Sequence, residues 1–165
     1  MKFCQDITVA FTGHRTYAGE SNQELRRVVA QLYERGFSRF LCGMSWGFDL
    51  AAGEAVLELK KEHPEVDLIA VIPHKGFFKL FHGADAEQYR RVADVADGAE
   101  VVSENGGDLS YMLRNNYLVD NASVVVAWWD GAPKGGTAYT VRRARKSRAE
   151  VINLFPDPQL DLGFK

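Results

Sequence analysis

Three glycine-bearing stretches carry most of the side chains in this sequence that could do chemistry. They are TGHRTYAG (residues 12–19), CGMSWGFD (42–49) and WWDGAPKGGT (128–137). Each follows a short apolar run, so each lies where a strand gives way to a helix. Glycine lets backbone N–H groups approach an anion with no Cβ in the way. The first turn of the following helix adds unpaired N–H groups and the positive end of its dipole. That combination is chemistry for a phosphate. In the third stretch Gly135 and Gly136 offer the close backbone and Thr137 a hydroxyl donor. Gly13, His14 and Arg15 are the matching candidates in the first, and Gly43, Met44 and Trp46 in the second.

Other candidates surround these. Asp49 stands near a helix start, where a cap is the preferred reading and a ribose hydroxyl the alternative. Arg114 and Asn115, followed by Asn116, interrupt an otherwise apolar helix face. Asp130 either binds a hydroxyl or stabilises its turn. Trp128, Trp129 or Tyr139 would stack on a base or sugar, whereas Trp46 also reads as core or a helix staple. A glycine pair between strand and helix is often turn chemistry alone; three such loops on one side of a sheet are a stronger signal. None has the dinucleotide spacing GxGxxG and none is a P-loop, so neither NAD-dehydrogenase nor NTPase machinery is indicated.

The elements that must position these loops alternate strictly. Apolar runs ITVAFTG, RFLCG, VDLIAVIP, AEVVS, SVVVAW and EVINLF read as six strands, separated by five helical patterns. Leu25, Val28, Val29 and Leu32 repeat at helical spacing behind a Ser21/Glu24 capping box, and Asp108 is the expected cap of the fourth helix. Strands apolar on both faces, alternating with helices, specify one α/β domain: a doubly wound, mainly parallel sheet of about six strands with helices on both faces. Residues 1–155 form that domain and residues 156–165 a polar tail.

Composition narrows the partners. The net charge of −2 gives no global basic field for nucleic acid. The basic run VRRARKSR (141–148) reads as a solvated helix face. No apolar run approaches the roughly 20 residues of a membrane span, and the opening residues read as a strand rather than a signal peptide. Cys4 and Cys42 make no ligand pattern, and His14, His63, His74 and His82 lack i, i+4 pairing, so no metal is expected. The expected setting is reducing and cytoplasmic.

The segments FTGHR (11–15), GMSWGFDLAAGEAVLELK (43–60), RNNYLVDNAS (114–123) and GGTAYT (135–140) together resemble the SLOG superfamily, and within it the YpsA-like branch. This Rossmann-like group includes the cytokinin-activating LOG phosphoribohydrolases and the DNA-processing DprA proteins. The resemblance implies a nucleotide or nucleotide-derived ligand, such as AMP, ADP-ribose or an NAD-derived molecule, with no required cofactor and a homodimer as the family tendency. LOG enzymes pair an arginine in an MxRK-like segment with a glutamate in GGxGTxxE. Here MLRN keeps the arginine as Arg114, Asn115 replaces the lysine, and Thr140 stands at the glutamate position. Threonine neither stabilises an oxocarbenium ion nor activates water well. Glu20 and Glu54 are further carboxylates that the spacing does not bring in. The expected function is therefore binding or sensing. Nucleotide N-glycosidase activity through Arg114, Asp49 or Asp130 and single-stranded DNA binding are the alternatives.

Overall fold

The computed structural model describes residues 4–156, so all of the expected tail except Pro156 lies outside the described residues. The strands are β1 (Thr8–Gly13), β2 (Arg39–Cys42), β3 (Asp67–His74), β4 (Gly98–Ser103), β5 (Val124–Trp128) and β6 (Glu150–Asn153). The helices are α1 (Asn22–Glu34), α2 (Phe48–Glu62), α3 (Gly83–Val95), α4 (Asp108–Asp120) and α5 (Gly136–Lys146). The strands form one sheet in the order β4-β3-β2-β1-β5-β6, with every pairing parallel.

Side-chain alternation along the strands builds a core on each face of the sheet. Val9 and Phe11 point to one face, where they meet Leu25 and Leu32 of α1, Leu50 and Val56 of α2, and Val92 of α3. Ala10, Leu41, Val71 and Val125 point to the other, against Leu118 and Val119 of α4 and Ala144 of α5. Continuous apolar strands are thus covered on both sides in the central four positions. The edges differ from the sequence expectation. β4 and β6 contain no fully buried residue, because each has a neighbour on one side only.

Two expected caps are not formed. Ser21 is the N-cap of α1 but makes no side-chain cap bond, and Glu24 instead pairs with Arg27. Asp108 is the first residue of α4, and Gly107 takes the cap position. On α2, Leu50 and Val56 are fully buried and Leu59 only half-buried. Among the described residues, no helix is long and apolar enough to cross a membrane. No group of three or more His, Cys, Asp or Glu that could hold a metal ion is present there either.

The chain steps from β1 outward to β4, then returns along the opposite face through α4 to β5 on the other side of β1. Strand order therefore reverses between β1 and β5, which pair from Val9↔Val124 to Gly13↔Trp128. At such a point the two outgoing loops diverge to opposite faces and leave a crevice beyond the strand ends. Gly13 closes β1 there for a steric reason. A Cβ on it would lie 2.4 Å from Cγ of the buried Phe48 at the start of α2. Gly13→Ala should therefore cost about 1–3 kcal/mol of stability through overpacking, measured by urea denaturation. An unchanged midpoint would show that Phe48 moves aside freely.

Candidate functional site

The crevice is a cleft of about 600 Å³ at the carboxyl ends of the strands. Ten of the thirteen candidate binding residues line it: Gly13, His14, Arg15, Asp49, Arg114, Asn115, Asp130, Gly135, Gly136 and Thr137. Gly43, Met44 and Trp46 do not. Met44 is fully buried with φ 67°, so its side chain belongs to the core. Trp46 packs edge-on to Phe81, 5.3 Å between centroids, and carries the Arg15 guanidinium over its face at 4.3 Å.

Gly43 acts from beneath the cleft. Arg114, buried in the middle of α4, donates through Nη1 to the Gly43 carbonyl and through Nε to Asn115 Oδ1 at 2.8 Å. Asp49 approaches from α2, and its Oδ2 accepts from the Ser45 N–H at 3.3 Å. A Cβ on Gly43 would sit 2.8 Å from Asp49 Oδ2 and 3.0 Å from Arg114 Nη1. Only glycine lets these charged groups close over the end of β2. Asp49 is thus no helix cap, since Gly47 holds that position. Burial pushes its carboxyl up to about 6, against the opposing pull of Arg114, the Ser45 N–H and Arg15. Burial likewise lowers the Arg114 guanidinium from its ordinary value, with Asp49 acting in the other direction.

The opposite wall is the start of α5. Gly135 precedes it with φ 109°, which L side chains rarely adopt. The first backbone bond into the helix is Tyr139 N–H to the Gly135 carbonyl, at 3.0 Å. The N–H groups of residues 136–138 therefore have no helical acceptor. Gly136 has room: a Cβ there would meet only Asn115 Nδ2, at 3.6 Å.

The loop before α5 is tethered on both sides. Asn153 brackets Trp129, accepting its N–H and donating to its carbonyl, both at 3.0 Å. Asp130 Oδ1 lies 3.0 Å from His14 Nε2, and the Asp130 backbone N–H lies 3.1 Å from the same nitrogen. The Ala132 N–H, bonded at 3.0 Å, is the main reason the Asp130 carboxyl lies below its ordinary range.

Three aromatic candidates fall elsewhere. Trp128 is buried against Tyr17 and Phe155, 4.9 and 4.7 Å between centroids. Trp129 donates its indole N–H to the Ala132 carbonyl, and Tyr139 donates to Asn116 Oδ1 at 2.6 Å. The cleft lining includes the half-buried Tyr111 and the fully buried Phe11, and the sequence pattern did not single out Tyr111, Ser45 or Lys134. Tyr111 lies one helical turn before Arg114 on α4, a spacing that could have placed it on the same face. Thr140 turns into its own helix, donating to the Gly136 carbonyl at 2.8 Å. Glu54 is held by Gln88 and Arg91, and Glu20 by the Ala18 N–H; neither lines the cleft. The basic stretch in α5 is largely exposed, as expected, with Arg143 paired to Asp120 at 2.9 Å.

Residues 10–154 match the model of the YspA SLOG family. The uncharacterized SPbeta prophage-derived protein YoqJ of Bacillus subtilis (strain 168) is 31% identical over 138 residues, covering 75% of this chain and 80% of that protein. DNA processing protein A (DprA) from Streptococcus pneumoniae superposes with TM-score 0.65 at 21% identity, over 90% of this chain and 49% of its own. A second DprA, from Helicobacter pylori and described by its single-stranded DNA binding mode, gives TM-score 0.64 at 20% identity, over 88% of this chain and 63% of its own. This chain therefore spans about half of one DprA and under two-thirds of the other, and at these identities the likeness is one of fold.

The raised Asp49 carboxyl has a consequence for stability. A folded-state value near 6, against an ordinary 3.8, gives a contribution fully present below pH 3.8 and lost as pH rises through 6. Its size is about 3 kcal/mol. Asp49→Asn keeps an acceptor for the Ser45 N–H and has no such loss. Whatever the variant's offset from the parent at pH 4, the parent–variant difference should move in the variant's favour by up to that amount as pH rises from 4 to 7.5, in guanidinium chloride titrations. A parent–variant difference that does not change with pH would contradict this assignment.

Proposed function

We propose that this chain, which belongs to the YspA SLOG family, binds a nucleotide or nucleotide-derived ligand through a phosphate seated at the start of α5. The observation that carries the reading is the set of unspent donors facing one cleft. The residue 136–138 N–H groups have no helical acceptor, and the Thr137 hydroxyl makes no hydrogen bond among the described residues. Across the cleft, the exposed Arg15 guanidinium has no carboxylate partner among the described residues, and Lys134 adds a further cation. Unpaired N–H groups, a helix dipole and nearby cations together favour an anion. Gly136 leaves open the space that the anion would take.

Binding fits this site better than N-glycosidic cleavage. The carboxylate of the LOG pattern is replaced by Thr140, whose hydroxyl is engaged with Gly136. Asp49 and Asp130 are the carboxylates that line the cleft, and Asp49 is committed to the buried cluster with Ser45 and Arg114.

The second reading, binding of single-stranded DNA, draws on the described binding mode of the H. pylori DprA. It also draws on Arg145 lying over the Trp129 ring at 5.6 Å, with Arg142 and Lys146 exposed on the same helix. An aromatic face beside cations suits a single strand. Fluorescence anisotropy with a labelled oligothymidylate at several salt concentrations separates the readings, because phosphate contacts give a steep salt dependence.

Calorimetry with AMP and ADP-ribose tests the phosphate seat. Gly136→Val should block the anion while keeping the fold. Arg15→Ala should weaken binding by about 1.5–3 kcal/mol through loss of a charge-assisted bond, and Thr137→Ala by about 1 kcal/mol. Adenine release from AMP, followed by chromatography, should stay at background. Unchanged affinity in a folded Gly136→Val variant would move the site elsewhere. Rapid release of adenine, abolished by Asp49→Asn or Asp130→Asn, would make the protein a hydrolase.

A further inference from the structure

The mouth of the cleft holds a cation–aromatic cluster that phosphate binding alone does not use. The Arg15 guanidinium lies 4.3 Å from the Trp46 ring centroid and 5.5 Å from that of Tyr111. The two rings come from the β2–α2 loop and from α4, elements packed on opposite faces of the sheet. Both are half-buried, so each has a surface open to solvent. Each ring is also braced from behind. Trp46 meets Phe81 edge-on at 5.3 Å, and Tyr111 meets His74 and Phe77 edge-on at 5.9 and 6.1 Å. Phe77 and Phe81 are themselves buried and in contact at 5.1 Å. The two half-buried rings are therefore held in place by the core.

An isolated surface cation over a ring is common and weakly stabilising. Here two braced rings converge on one arginine that has no carboxylate partner among the described residues, at the edge of a cleft whose far wall presents unpaired N–H groups. A ring face and a guanidinium face accept the same thing, a flat π-system. We infer that Trp46, Tyr111 and the face of Arg15 form a nucleobase platform, so that the site takes a nucleoside phosphate with its base at this mouth and its phosphate at α5. The inference rests on the phosphate seat proposed above and assigns the ligand's second end. It also gives Trp46 a role outside the lining of the phosphate cleft.

Calorimetry of the full chain with AMP and with ribose 5-phosphate tests it, since the two share the phosphate and differ in the base. Stacking on an aromatic face predicts that AMP binds roughly tenfold to a hundredfold tighter. Trp46→Ala should collapse that ratio toward one, whereas Trp46→Phe, which keeps a ring face against Phe81, should retain most of it. Tyr111→Leu, which keeps apolar bulk beside Phe77, should reduce the ratio independently. Equal affinities for AMP and ribose 5-phosphate in the parent would overturn the platform, as would a ratio unmoved by both Trp46→Ala and Tyr111→Leu. If ribose 5-phosphate binds and Gly136→Val abolishes it, the phosphate seat stands even where the platform fails. If neither compound binds, the phosphate seat fails and the platform fails with it.

Discussion

The cleft depends on a guanidinium that crosses the end of the sheet. Arg114 belongs to α4 on one face, and the carbonyl it bonds, Gly43, follows β2, which α2 covers from the other. A cation buried to this degree must be solvated by the protein itself, and removing one partner leaves the other uncompensated. Asp49 supplies the opposing charge from α2, held in the same place by the Ser45 N–H. The arrangement has no room for a side chain at Gly43. In this way one buried cluster fixes the separation of α2 and α4, and with it the width of the crevice that the reversal of strand order opens.

The upper walls are fastened by other means. The loop from Trp129 to Gly135 is held to β6 by Asn153 and to the β1–α1 loop by the His14–Asp130 contact. Arg142 adds a third tether, donating to the Pro133 carbonyl at 2.8 Å. A loop so bound delivers the α5 N-terminus in a defined position, which lowers the ordering cost that a ligand would otherwise meet. The N–H groups at the start of α5 and the Arg15 guanidinium lie along the cleft.

Much of this was legible in the sequence because it depends on short-range pattern. The apolar runs and helical spacings gave six strands and five helices, and a parallel sheet must present its ligand loops at the strand carboxyl ends. That rule is enough to gather His14, Arg15, Asp130 and Thr137, whereas Arg114 stands out as a polar break in the apolar face of a helix. What stayed hidden depends on distant partners. Gly13 and Gly43 read as phosphate glycines, but one makes room for Phe48 and the other for Asp49 and Arg114. Trp128 and Tyr139 read as stacking surfaces, but Trp128 packs against Phe155 and Tyr139 is bound through its hydroxyl to Asn116. Asp49 read as a cap because it lies near a helix start, yet its carboxylate accepts from the Ser45 N–H and feels the charge of Arg114 from α4. The Ser21/Glu24 pattern failed for a local reason: Ser21, at φ −122° and ψ 25°, makes no side-chain cap bond.

Backbone amide resonances report the α5 N-terminus itself, where the phosphate would sit. In a nitrogen–proton correlation spectrum titrated with AMP, a phosphate seated at α5 gives the largest shifts at Gly136, Thr137 and Ala138, with Arg15 moving at the same ligand concentration. Shifts confined to the second cleft between α1 and α2, around Gly19, Asn22 and Ala51, with the α5 amides unmoved, would contradict it.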